Sequence, residues 1–297
     1  MNPKTLFEFY KRTTTQNIDE LIQDYSNLID IIVKMRLSLF RSKVQVPQYW
    51  TKVEILIKKY VLASRTTISL IETNKTNALS NSQNTVDVTS IHIICRSLFE
   101  NFLTIFYLFS EKKENEEIIK CRNLIYEISG LGKRQILPAT TEFAMKQKEN
   151  EAAIIISLKD ALLNNQEFQN LNLRFKKKVL EGPVQLIPAK IFSWKKLFEI
   201  SALDNNFFLN SWGIYSNYAH SEYYSIMQLK GLMAENDKLN LFTTNAVKSQ
   251  IMLTSHLITE LCGLFDCMNE VFDEEKESIR DAIILWNKIA TGNLEKE

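Results

Sequence analysis

Only seven glycines and five prolines fall among 297 residues, well below ordinary usage. Few breakers mean long helices. The four cysteines (Cys95, Cys121, Cys262, Cys267) form no CxxC pair, and the three histidines (His92, His220, His256) show no HExxH or similar spacing. Neither a zinc site nor a disulfide framework is predicted, no metal or cofactor is expected, and a reduced, cytoplasmic compartment fits best. No sign of charge is in excess: 36 basic against 35 acidic residues leave a net +1, so only local patches can argue for an anionic partner. The N-terminus lacks the basic start and apolar run of a signal peptide. No window approaches the roughly 18 uninterrupted apolar residues of a membrane span. The nearest, from Ile91 to Phe109, is broken by Arg96, Glu100 and Asn101, so a soluble protein without a membrane partner is expected.

What the chain does have is an ordinary globular balance, 45% apolar and 24% charged, and a strong three-to-four-residue period. Asn17 or Asp19 caps a helix to about Ser42; Pro47 opens another to about Thr73; Asn74 to Thr85 reads as loop. A helix from Glu116 to Ser129 stops at Gly130 and Gly132, and one from Thr140 or Thr141 reaches about Leu163. Leu203 to Leu229 reads as one helix, then Thr244 to Phe272 and Glu274 to Ala290. The segment between, around Asn236 and Asp237, reads as a loop or small hairpin. The expectation is an all-α fold: a single domain of roughly eight to ten mostly antiparallel helices, with at most one small hairpin near 228–242. Within it, 1–86 would form an N-terminal helical hairpin, 87–229 the core helices and 244–292 a C-terminal pair.

The organising stretch is Val86 to Glu111, apolar over more than half its circumference as a helix, and therefore expected in the middle of the bundle. It nevertheless carries Arg96 and Glu100 one turn apart, with His92 one turn earlier. A second odd stretch, Trp212 to Met227, puts Ser216 and His220 on the wheel face shared with Trp212, Ala219, Tyr223 and Met227. Buried polar groups need partners, and the simplest inference is that the two sets meet. Arg before Glu is the weaker order for a helical pair, whereas a guanidinium can bridge to another helix or bind an anion. His220 could then act as general acid or base, Glu100 could orient it, and Arg96 could stabilise phosphate charge. Ser216 is a possible nucleophile without a glycine elbow. An inter-helical salt bridge and a bonded histidine would equally lock helix register with no substrate. His256 and Glu260 read as a half-solvated helix flank.

Arg174 to Lys196 holds seven cations against one anion, Glu181. It is either a solvated lysine face or a phosphate-binding edge, with Pro183 and Pro188 making its middle non-helical.

Arg96-Ser-Leu-Phe-Glu100, followed far downstream by Tyr215-Ser216-Asn-Tyr-Ala-His220-Ser221, resembles an uncharacterised, mainly prokaryotic family of all-helical proteins. Its members carry an Arg-Ser-x-x-Glu helix and a Ser-x-x-x-His helix, and some sit among defence genes. The resemblance spans His92 to Tyr224. A more distant likeness is to the HEPN superfamily, many of whose members are metal-independent RNases. The Arg followed four to six residues later by His, on which those enzymes rely, is absent here.

These resemblances imply a stress or antiphage protein that acts on or binds RNA or a nucleotide. Arg96, Glu100, His220 and Ser216 would be catalytic, and Asn217, Tyr107, Arg174, Lys177 and Lys195 would hold the substrate. The rival reading is a non-enzymatic interaction module, a sensor, scaffold or antitoxin-like partner. It would dock a protein partner or a second copy through apolar faces at Leu6, Phe9 and Tyr10, or along Ile279 to Trp286.

Overall fold

A computed structural model describes residues 3–42, 47–77, 86–181, 193–234 and 236–293. The described residues are 85% helical, in 14 α-helices, with no strand among them. The all-α class stands, with more and shorter helices than the period suggested.

The contacts resolve the expected single bundle into two compact units, residues 1–46, 52–103 and 201–297, and residues 47–51 and 104–200. In the first unit, α1 (Pro3–Thr14), α2 (Ile18–Arg41), α3 (Thr51–Asn77) and α4 (Val88–Ile105) come from the N-terminal part of the chain. Asn17 caps α2, its side chain accepting from the Asp19 amide. The Asp87 side chain accepts from the Ser90 amide at 3.0 Å at the start of α4. The C-terminal part supplies α10 (Asn205–Ala219), α11 (Tyr223–Ala234), α12 (Asn236–Cys262), α13 (Asp266–Asp273) and α14 (Glu277–Ala290).

α12 is the hub, packing on α2, α11, α13 and α14. From Ala246 to Ile258 it is almost wholly buried although it holds Thr, Ser and Gln, and neighbouring helices bond several of those groups. Tyr60 of α3 meets Thr254 at 2.8 Å, Tyr215 of α10 meets Ser249 at 3.0 Å, and Gln250 donates to Cys95 Sγ of α4 at 2.7 Å.

The second unit holds a 3₁₀ turn (Gln48–Trp50), a π turn (Phe106–Ser110) that continues α4, and α5 (Glu116–Ile136), α6 (Glu142–Leu163), α7 (Gln166–Asn170), α8 (Leu173–Glu181) and α9 (Trp194–Ile200). α5 packs on α6 and α7 around Leu124, Ile125, Ile128, Leu162 and Phe168, while Trp50 packs on Phe109 with centroids 5.0 Å apart.

Several boundaries move. α5 runs through Gly130 and Gly132 to Ile136, because its last turns are held to α6 by Arg134 on Glu151 at 3.0 Å and Gln135 on the Lys148 carbonyl at 3.1 Å. The hairpin considered near 228–242 is instead the end of α11 and the beginning of α12, and the helix placed from Thr244 begins at Asn236. That same helix ends at Cys262, so the expected C-terminal pair is three helices. The reading of 203–229 as one helix fails at His220, where α10 stops. Val88 to Ser110, though interrupted by Arg96 and Glu100, has the length and composition to cross a membrane, and 67% of its apolar 18-residue window is buried inside the protein.

Candidate functional site

α4 is buried all round from Asn101 onward, and over its first three turns it leaves a partly open face that carries Ile93, Arg96 and Glu100 at three- and four-residue steps. The Arg96 and Glu100 side chains are 20% and 30% exposed, so the charges line a rim and not the sealed pocket expected from the wheel. Arg96 Nε donates to Glu100 Oε1 at 2.9 Å.

The other half of the site is built by the turn that ends α10. Ser221 has φ 53, the left-handed region a non-glycine residue rarely adopts. Its amide bonds the Tyr218 carbonyl at 3.3 Å, and the Glu222 amide bonds the Asn217 carbonyl at 3.0 Å. This pair of bonds is a Schellman stop, with serine in the place usually held by glycine. His220 is thereby the helix cap, exposed, and its Nε2 lies 2.9 Å from Arg96 Nη1. A guanidinium only donates, so Nε2 accepts and the ring proton sits on Nδ1. Trp212, two turns earlier on α10, donates to Glu100 Oε1 at 3.4 Å and stacks near Arg96, whose guanidinium carbon is 5.7 Å from the ring centroid.

Arg96, Glu100 and His220 therefore converge, with Arg96 as the link. Ser216 is half-buried beside them; its carbonyl accepts from the His220 amide at 3.1 Å, and its Oγ is buried with no hydrogen-bond partner among the described residues. The Asn217 carbonyl closes the stop. The wheel placed Ser216 and His220 on the core face, but the buried residues of α10 are Phe208, Tyr215 and Tyr218. Beyond the stop the phase is reset: Ser225 is buried, while Tyr223 and Met227, expected inside, are 74% and 49% exposed.

The remaining expected site residues lie elsewhere. Tyr107 is buried in the π turn of the second unit, its ring under Arg122 at 4.3 Å and its carbonyl accepting from that guanidinium at 2.5 Å. Buried this way, it has no surface to offer a substrate. Arg174 and Lys177 on α8 and Lys195 on α9 are exposed in the same unit, Lys177 pairing with Glu181 at 3.7 Å. The middle of the basic segment, 182–192 with Pro183, Pro188 and Lys190, lies outside the described residues.

His92 is in the core behind the site. Its ring sits 4.8 Å from Tyr215 and 4.6 Å from Tyr218, and burial pushes its pKa down to about 4. His256, read as a half-solvated flank, is buried. Its Nε2 donates to the Ser201 carbonyl at 2.9 Å and its Nδ1 lies 2.8 Å from Asn287 Oδ1, tying α12 to α14 and to the segment before α10. The apolar faces considered for docking meet each other: Phe9 and Trp286 pack edge to face at 5.4 Å, while Tyr10 stays exposed and the Leu6 side chain lies outside the described residues. Among the described residues no group of three His, Cys, Asp or Glu could hold a metal ion.

Comparison with protein-family models, with curated proteins and with solved structures finds no match to this chain.

Proposed function

We propose that the α4–α10 rim binds a phosphate-bearing ligand, RNA or a nucleotide, with Arg96 as the phosphate clamp and His220 as the acid or base. The observation that carries this reading is the 2.9 Å contact from Arg96 Nη1 to His220 Nε2 across two helices. A neutral imidazole is a modest acceptor for a guanidinium, and a phosphate makes stronger, charge-assisted and often bidentate bonds. A phosphate arriving at the half-exposed rim takes over the Arg96 donors and releases Nε2. Glu100 keeps Arg96 in place through Nε.

On RNA, the freed Nε2 takes the proton of a ribose 2′-hydroxyl, whose oxygen attacks the adjacent phosphorus. The bond to the 5′-oxygen breaks, and that oxygen takes the proton back from the imidazolium through water. The products are a 2′,3′-cyclic phosphate and a 5′-hydroxyl. Ser216 and Asn217 flank the cap and position the ligand. This chemistry agrees with the prokaryotic stress or antiphage role that the resemblance implies.

A second reading is favoured by one feature, the run of exposed Tyr223, Tyr224, Ile226 and Met227 directly after the stop. Such a patch suits a protein partner or a second copy, and the Arg96 cluster would then only brace α10 beside it.

The test uses end-labelled single-stranded RNA with wild type, Arg96→Ala and His220→Ala, each melted in parallel. His220 is exposed, so His220→Ala should cost no more than about 1 kcal/mol of stability, and Arg96→Ala, which removes a four-fifths buried partner of Glu100, should cost about 1–3 kcal/mol. Wild type should cleave to cyclic-phosphate ends, His220→Ala should bind without cleaving, and Arg96→Ala should bind roughly tenfold or more weakly. Absence of RNA or nucleotide binding by a folded wild type overturns the proposal and moves attention to the α11 patch.

A further inference from the structure

A cleft of about 260 Å³ opens between α1, α2 and α14, within the first unit and built from residues that the Arg96 site does not use. Its volume is roughly that of nine waters at ~30 Å³ each, enough for a small organic molecule. Phe9, Leu28, Ile279, Leu285 and Trp286 form its apolar side, with the Phe9 and Trp286 rings edge to face.

The polar side carries one ion pair, Arg12 with Asp24. Asp24 Oδ1 accepts from Arg12 Nη1 at 2.7 Å, while Oδ2 has no partner among the described residues. The Asp24 side chain is only 16% exposed, and the charges that act on it are Arg12 and a second carboxylate, Glu20. Glu20 is exposed and accepts from Asn17 outside the cleft lining, which carries Arg12 and Asp24 alone as charged groups. Burial raises the Asp24 pKa even with Arg12 in contact, so the guanidinium does not fully compensate the buried charge. Gln23, whose amide nitrogen donates to Asn27 at 3.0 Å, adds an amide oxygen on the same side. A ligand entering the cleft meets the Asp24 carboxylate, whose Oδ2 is open to a donor.

We propose that this cleft binds a small organic cation, an ammonium group carried on an aromatic or aliphatic body. The ammonium bonds Asp24 Oδ2 and lies against the ring faces of the apolar wall, where a cation is attracted by the aromatic quadrupole. The body fills the space beside Leu28 and Ile279. Recognition of this kind follows the usual plan of ligand pockets, a mostly apolar wall with a few placed polar groups.

The experiment titrates the full-length chain with 2-phenylethylammonium, 3-phenylpropionate and 2-phenylethanol, read by ligand-observed NMR and by calorimetry. The ammonium should bind roughly tenfold more tightly than either of the others. Asp24→Asn, which keeps an amide oxygen for Arg12, should lose that preference. Ala282→Phe fills the cleft and leaves the carboxylate alone, and it should abolish binding. If Asp24→Asn does not fold, the three-ligand ratio and Ala282→Phe decide the matter. Equal or tighter binding of the propionate overturns the proposal. So does a wild type that the ammonium does not saturate by about 10 mM, or an Ala282→Phe protein that binds as well as wild type.

Discussion

His92 is a single residue whose surroundings set a pH dependence for the whole first unit. It is 2% exposed among Tyr215, Tyr218 and Phe242, and its Nδ1 is buried with no partner among the described residues. Its folded-state pKa is near 4, against an ordinary value of 6.5. As pH falls through 6.5 the unfolded chain takes up this proton while the folded chain does not. The unfolded state therefore binds more protons between 6.5 and 4, and stability falls across that window. Below both values the loss reaches about 3 kcal/mol. His92→Phe keeps a ring among the same aromatic neighbours and cannot titrate. Thermal melts from pH 7 to 4 should show wild type losing about 3 kcal/mol more than His92→Phe; parallel curves would mean that the ring reaches solvent. The sequence marked His92 as polar on an apolar helix, but the charges beside it were misjudged. A wheel gives the residues that share a face; it does not say that Arg96 and Glu100 fall on the part of α4 that stays partly open.

At the scale of an element, two helix ends show what sequence can and cannot announce. α14 ends with Gly292 at φ 65, the Gly292 amide on the Ile289 carbonyl at 3.1 Å and the Asn293 amide on the Lys288 carbonyl at 2.9 Å. α10 ends with the same pair of bonds, but Ser221 takes the left-handed position. A glycine in the left-handed position marks the first stop in the sequence. Serine, an unremarkable helix residue at that point, hid the second. The error carried forward, because a helix continued through Ser221 keeps the wrong phase and buries Tyr223 and Met227 on paper. The convergence of Arg96 with His220 survived because His220 lies on the near side of the stop. A serine held at positive φ is strained, and glycine is not, although glycine gives up more entropy on folding. Ser221→Gly should therefore gain about 0.5–1 kcal/mol, and Ser221→Val, β-branched at the same angle, should lose more than about 1 kcal/mol. Urea midpoints of the two variants check this. If the proposed rim binds RNA, a stabilised Ser221→Gly that binds it as wild type does would show that the turn's shape, and not its serine, serves the site.

For the whole molecule, the division into two units was the least legible feature. The boundary at Leu103 and Thr104 falls inside a continuous apolar run, with no glycine, proline or change of composition to mark it. Helical period reports which face is buried and says nothing about which neighbour buries it. Each unit nonetheless has its own core. In the second, Phe168 is 0% exposed and packs with Leu124, Ile125, Ile128 and Leu162, and α7, which carries it, is fastened by Asn165 to the Glu117 carbonyl and carboxylate at 3.1 and 2.9 Å. In the first, α12 ties α3, α4 and α10 through Thr254, Gln250 and Ser249. Phe168→Ala removes a fully buried ring and should cost about 3–5 kcal/mol within the second unit. Hydrogen exchange resolved by peptide should then show faster exchange in α5, α6 and α7, with α2 and α12 protected as in wild type. Equal loss of protection in α12 would mean that the chain opens as one cooperative body. The distinction bears on function, because Arg96 and His220 both belong to the first unit. If the units open separately and the proposed rim binds RNA, Phe168→Ala binds RNA as wild type does at temperatures where the second unit is already open.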